Sequence, residues 1–169
     1  MKKEKNIGFT QFVDFFPEIE LPVTLTEESS LDFSRLNTPF SGEAIAKFII
    51  PIEAETDEFT EYLPCFRIKN TGNIHALVYW KASLLNYEYK LVTFSNEGEL
   101  IDGKVIAATI TNQETIVRTV STFDEDWVIH TVVGQQEVDS KSINKESKSY
   151  TLELLGTGEI IFSLNEQNK

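Results

Sequence analysis

The chain has a single cysteine, Cys65, in 169 residues. One thiol closes no intramolecular disulfide, so the fold must rest on packing, and a reducing compartment is compatible with it. Histidine is nearly as scarce. His75 and His130 are the only two, and neither stands in a His-x-x-x-His or Cys-pair spacing, which argues against a zinc centre. No apolar run reaches the length of a transmembrane helix. No Gly-rich phosphate loop is present. Lys2, Lys3 and Lys5 open the chain, but Asn6, Gly8, Thr10, Gln11 and Asp14 interrupt any apolar stretch behind them. No signal peptide is visible, so a cytoplasmic location is the expectation; a chain trimmed of its leader would look the same.

Positive charge is also in short supply. Fifteen Lys and Arg face 27 Asp and Glu, for a formal net charge of −12. Such a surface repels phosphate backbones and anionic lipid, so neither nucleic acid nor a membrane is an expected partner. A basic protein partner is electrostatically allowed. The charge is uneven: residues 10–61 hold 12 acids and only Arg35 and Lys47, a net of −10, whereas residues 62–169 have a net of −4.

What the chain does have is aromatic and β-branched residues in strand-like runs. Twelve Phe, five Tyr and two Trp suit a pleated, half-buried surface. The length is that of one domain with its own core, residues 1–169, made of an acidic covering segment (1–61) and a β-meander (62–169). In the first part, Phe9, Phe12 and Phe16 have helical spacing and Pro17 stops the helix. Glu18–Leu25 alternates polar and apolar, and Pro22 limits it to an edge strand or an extended arm. Ser29-Ser30 is placed to cap a short turn bearing Leu31, Phe33 and Leu36. Ser41 is an N-cap for an amphipathic helix over 41–49 that ends at Pro51. Residues 53–61 read as a solvated acidic loop.

From Tyr62 onward, turn clusters separate paired apolar runs. Cys65–Lys69 and Ile74–Ser83 flank Asn70-Thr71-Gly72-Asn73. Tyr87–Ser95 and Glu99–Thr109 flank Ser95-Asn96-Glu97-Gly98. Gln113–Phe123 and Trp127–Gln136 flank Asp124-Glu125-Asp126. After a polar loop over 137–147, Ser149–Leu154 and Glu159–Leu164 flank Gly156-Thr157-Gly158. The fold expected is mainly β, an eight-strand antiparallel meander with a short N-terminal helical region, either an open curved sheet or a small barrel.

Few residues nominate chemistry. Cys65 with a histidine lacks a third member, so a structural thiol beside Pro64 is the plainer reading. Neither Asp124-Glu125-Asp126 nor the run from Glu53 to Glu61 has the glycine and oxygen spacing of a calcium loop. No catalytic residue, cofactor site or metal site is assigned, and the chain reads as non-enzymatic. The possible interaction surface is aromatic: Tyr79, Trp80, Tyr87 and Tyr89 on adjacent strands.

The Phe16-Pro17…Leu21-Pro22 start, the Ser41–Ile49 helix with its Phe48, the Leu91–Phe94…Gly98–Asp102 hairpin and the closing Tyr150…Gly158-Glu159-Ile160 together span most of the chain. In that order they resemble uncharacterised small β-sheet proteins of Bacteroidetes-type bacteria. The resemblance implies a meander sheet and supplies no activity and no site residues.

The function expected is a non-enzymatic binding protein, in one form an acidic inhibitor or immunity-type protein for a basic partner. The alternative is a small-ligand carrier with a lipocalin-like β-barrel. The sequence leaves the oligomeric state open.

Overall fold

The computed structural model describes residues 6–138 and 147–164. It is mainly β, one open sheet of ten strands with a few short helices. The eight strands of the meander are β3 (Glu61–Ile68), β4 (Ile74–Ala82), β5 (Asn86–Ser95), β6 (Leu100–Thr111), β7 (Thr115–Phe123), β8 (Val128–Glu137), β9 (Lys148–Leu154) and β10 (Ile160–Leu164). Each pairs antiparallel with the next. The lysine-rich start and most of the polar loop at 137–147 lie outside the described residues.

The N-terminal part adds two strands. β1 (Glu18–Ile19) runs parallel to β3 at the sheet edge. β2 (Val23–Leu25) pairs with Ser121–Phe123 of β7. It finds room there because β6 pairs with β7 only through Ala108–Thr111. The first half of β6 turns away, the sheet curls, and the last hairpin folds back toward it. Asp102 on β6 receives the Ile160 N–H at 2.8 Å, and the Thr93 hydroxyl donates to the Gly158 carbonyl at 2.6 Å. These bonds bring the ends together without completing a ladder, so the sheet is not closed.

Period-2 alternation gives the sheet two cores. On the concave side, Leu25, Phe66, Val78, Leu91, Ile106, Phe123, Ile129 and Leu152 pack together with almost no exposed surface. On the outer side, Leu77, Tyr79, Val92 and Phe94 of β4 and β5 meet the N-terminal helices. There α1 (Phe9–Val13) contributes Phe12, whose ring stacks on Phe48 at 4.7 Å and meets Phe16 edge-on at 5.3 Å. Phe12 and Phe16 are fully buried.

Ser41 caps as its sequence implies: its hydroxyl accepts the Ala44 N–H at 3.2 Å, opening α3 (Gly42–Ala44). The segment then widens into a π-helical stretch, Ile45–Ile49, whose Ile45 carbonyl accepts the Ile50 N–H. Contrary to expectation Pro51 does not end it. A 3-10 turn runs from Ile50 to Ile52, and a proline near the start of such a turn loses no bond, because its N–H would have had no partner. Between β2 and α3 lies α2 (Ser29–Leu36), beside β3. Ser29 does not cap it; its hydroxyl instead accepts the Thr26 N–H at 2.9 Å and ties off the preceding turn. Asn37, just past α2, donates to the Pro64 and Cys65 carbonyls at 2.8 and 2.9 Å. With Pro64, which has no N–H, this covers the edge of β3 that β1 leaves open.

Candidate functional site

Glu53 is the residue on which this region is built. It follows the 3-10 turn, and its side chain is 1% exposed over the outer face of β4 and β5. Three donors converge on its carboxylate. Lys81 Nζ lies 2.8 Å from Oε2, Lys90 Nζ lies 3.0 Å from Oε1, and the Tyr79 hydroxyl donates to Oε1. Alternation puts 79 and 81 on one face of β4, and the register places Lys90 opposite Tyr79 on β5. Burial pushes the Glu53 carboxyl up, but the bonds from Lys81, Tyr79 and Lys90 outweigh it and hold it below the usual value. Burial raises the Tyr79 phenol strongly, and the Glu53 charge raises it further. The expectation of a fully solvated acidic loop is therefore corrected at Glu53: it is a buried anion held by two cations and a phenol.

This anchor fixes the acidic loop beside the turn between β4 and β5. Lys81 Nζ also reaches the Glu55 carbonyl at 2.7 Å. The Tyr62 hydroxyl donates to Thr56 Oγ1 at 2.9 Å, and its ring lies edge-on to Tyr79 at 6.2 Å. Asp57 closes the loop on itself, with Oδ1 accepting the Phe59 N–H and the Thr60 hydroxyl, both at 2.9 Å. Between loop and turn is a cleft of about 370 Å³, lined among others by Glu55, Asp57, Lys81, Leu84, Leu85 and Glu88. Its one lysine is turned onto Glu53, so the acids of the rim keep their charge toward solvent.

Around that cleft the chain exposes large apolar side chains. Leu84 is 85% exposed, Phe59 74% and Leu85 53%. On the opposite face of the same hairpin, Trp80 and Tyr87 stack with ring centres 5.8 Å apart and planes within 6°. The end of the β4–β5 hairpin is thus an apolar tip beside a cleft lined by the carboxylates of Glu55, Asp57 and Glu88. A polar turn is the rule between strands, so two leucines in Ser83-Leu84-Leu85-Asn86 are the signal that sequence reading passed over. Glu53 had no such signal, since nothing in an acid-rich run marks which carboxylate turns inward.

The four aromatic residues expected to form a surface divide in two. Tyr79 is fully buried under the N-terminal elements, and Tyr89 is 3% exposed in the concave core, its hydroxyl donating to the Thr26 carbonyl at 3.0 Å. Neither lines a surface, because the covering segment and α2 close over them. Trp80 and Tyr87 stay at the open end.

The remaining candidates are structural in their contacts. Cys65 is buried in the concave core, and burial pushes its thiol well up, which disfavours the thiolate. His75 meets the Phe9 ring edge-on at 5.4 Å. Its imidazole is lowered first by burial and then by Arg67, against a raising bond from Asn96. His130 Nε2 sits 2.7 Å from Asp124 Oδ2, while Asp124 Oδ1 accepts the Asp126 and Val128 N–H groups and so shapes the turn. Among the described residues, no three His, Cys, Asp or Glu side chains group as a metal site needs. No described helix is long and apolar enough to cross a membrane. A second cleft, of about 390 Å³ beside α1, holds Arg67 between Asp14 at 3.5 Å and Glu18 at 3.7 Å.

In comparisons with known proteins, the chain matches no family model, and no curated protein and no solved structure matches it.

Proposed function

We propose that this chain is a non-enzymatic binding protein that engages a basic partner protein through the end of the β4–β5 hairpin. One observation carries the reading: Phe59, Leu84 and Leu85 stand exposed beside a cleft rimmed by carboxylates. Exposed apolar side chains gathered at one end mark contact surfaces on soluble proteins. Surrounding acids select a cationic partner and speed its approach, while the apolar tip supplies most of the affinity. Fixing the loop through Glu53 keeps the surface formed before the partner arrives, which lowers the ordering cost of binding. An inhibitor or immunity-type role toward a basic protein is one form of this function. The carrier alternative needs an emptied interior, and the concave side is filled by Leu25, Phe66, Leu91 and Ile129 in an unclosed sheet.

The test is affinity capture from an extract of the source cell with the intact chain and with a Phe59→Ser, Leu84→Asp, Leu85→Asp variant. The reading expects a basic protein that the intact chain retains at low salt and the variant does not. Capture of the same proteins by both, or of acidic proteins only, overturns it.

A further inference from the structure

We propose that the cleft beside α1 binds a small zwitterion, an α-amino acid with an apolar side chain. The cleft holds about 390 Å³, within the roughly 300–1,000 Å³ of small-molecule sites. It shares no lining residue with the cleft at the β4–β5 end, and it lies outside the filled concave core. Four stretches of chain meet there: α1, β1, the β3–β4 hairpin and the β5–β6 turn.

Arg67 on β3 is the residue that gives the cleft its chemistry. Its guanidinium offers five N–H donors in a rigid fork. Among the described residues it makes one hydrogen bond, from Nη1 to the Val13 carbonyl at 3.3 Å, and Nη2 has no partner. Asp14 at 3.5 Å and Glu18 at 3.7 Å offset its charge, but both stand beyond the roughly 2.7–2.9 Å of a charge-assisted bond. Those carboxylates are 67% and 49% exposed, and neither accepts a hydrogen bond among the described residues. The cleft therefore holds a cation and two anions side by side, each with bonding capacity left over.

Charge selects the ligand. A simple anion entering here meets Asp14 and Glu18, and a simple cation meets Arg67. A molecule carrying both signs satisfies all three, its carboxylate on Arg67 and its ammonium toward Asp14 and Glu18. In an α-amino acid one carbon separates the two charged groups, which matches a guanidinium and carboxylates 3.5–3.7 Å apart. Phe9, Val13 and Ile74 supply apolar lining for the side chain of the ligand. His75 and Asn96 complete the lining, and burial keeps the imidazole neutral near pH 7, so neither adds a charge.

The experiment is amide NMR of the full chain titrated with L-leucine and with L-phenylalanine to about 10 mM. The expected Kd is between about 10 μM and 1 mM, as suits a ligand of so few atoms. Shifts are expected to centre on Thr10, Asp14, Arg67, His75 and Asn96. 4-Methylpentanoate, which lacks the ammonium of leucine, and isopentylamine, which lacks its carboxylate, are each expected to bind at least about tenfold more weakly. Arg67→Gln is expected to weaken L-leucine binding by about tenfold or more, and so is Asp14→Asn with Glu18→Gln. The second variant alters only well-exposed side chains, so it tests the site even where loss of Arg67 loosens α1. Arg118→Gln, which removes an arginine outside the cleft, is expected to bind as the intact chain does. The inference is overturned by no shift with either amino acid at about 10 mM, by shifts centred outside the cleft, by either analogue binding as tightly as L-leucine, or by binding that both cleft variants leave intact. No partner protein enters this titration, so its outcome is independent of the reading given for the β4–β5 end.

Discussion

Glu53 and Lys81 stand 2.8 Å apart, with the carboxylate 1% exposed and the lysine side chain 13% exposed. They join the acidic loop to the sheet, and everything proposed for the β4–β5 end depends on that join. Glu53→Gln keeps the shape but removes the charge, leaving Lys81 and Lys90 without their anion. Breaking a buried pair from one side costs about 3 kcal/mol, reduced here because both lysines can still reach water. A loss of about 2 kcal/mol in urea unfolding is expected, with faster amide exchange in residues 53–60.

The same carboxylate sets a pH dependence. Glu53, Asp102 and Asp124 all lie below their ordinary values, in each case because hydrogen bonds to the ionised form outweigh burial. For a depressed carboxyl the unfolded chain binds more protons, so the stabilisation is present above the unfolded value and is lost as pH falls through the folded one. His75, pushed down mainly by burial, acts in the same sense, beginning near the unfolded histidine value of about 6.5. Urea midpoints should hold steady between about pH 7 and 9, decline gently toward pH 5 and fall steeply below about pH 4. Glu53→Gln should flatten the acid limb, and His75→Gln the gentler decline.

Gly98 ends the β5–β6 turn at φ +86°, and a Cβ there would lie 2.9 Å from Cγ of Phe9. The Phe9 ring has little room to move, packed as it is against His75, Phe94 and Phe48. Gly98→Ala should cost about 2 kcal/mol, through the left-handed backbone and the displaced ring together. Thermal unfolding measures the loss, and α1 amides should exchange faster.

Asp102 bonds the Ile160 N–H at 2.8 Å and the Gly103 N–H at 2.7 Å, and so holds the last hairpin against β6. Asp102→Ala should cost about 1–2 kcal/mol and release the Ile160 amide to exchange well before the β4 and β5 amides.

These residues also show how far the sequence could be read. The turns at Asn70–Asn73, Gly98 and Gly156–Gly158 are local chemistry, so the order of the strands was legible. Helical spacing of Phe9, Phe12 and Phe16 and the cap at Ser41 are local too. The site was less legible because it is made by distant contacts. Glu53 meets Lys81 and Lys90 across some thirty residues of chain, and no local pattern marks it among its acidic neighbours. Tyr79 alternates with Trp80 on β4, and Tyr89 stands opposite Trp80 on β5; the middle of the sheet is apolar on both sides, so alternation alone does not say which side the N-terminal part will cover. β2 could not be placed because its slot exists only where β6 leaves β7.

The most direct test of the proposed binding surface is calorimetric titration of the captured basic partner into the intact chain and into the Phe59→Ser, Leu84→Asp, Leu85→Asp variant. These side chains are exposed, so the variant should keep its stability to within about 0.5 kcal/mol. The account predicts affinity weakened by about a hundredfold or more in the variant, and intact-chain binding that weakens as NaCl rises. Affinity equal within about twofold for the two chains, or binding indifferent to salt, would contradict it.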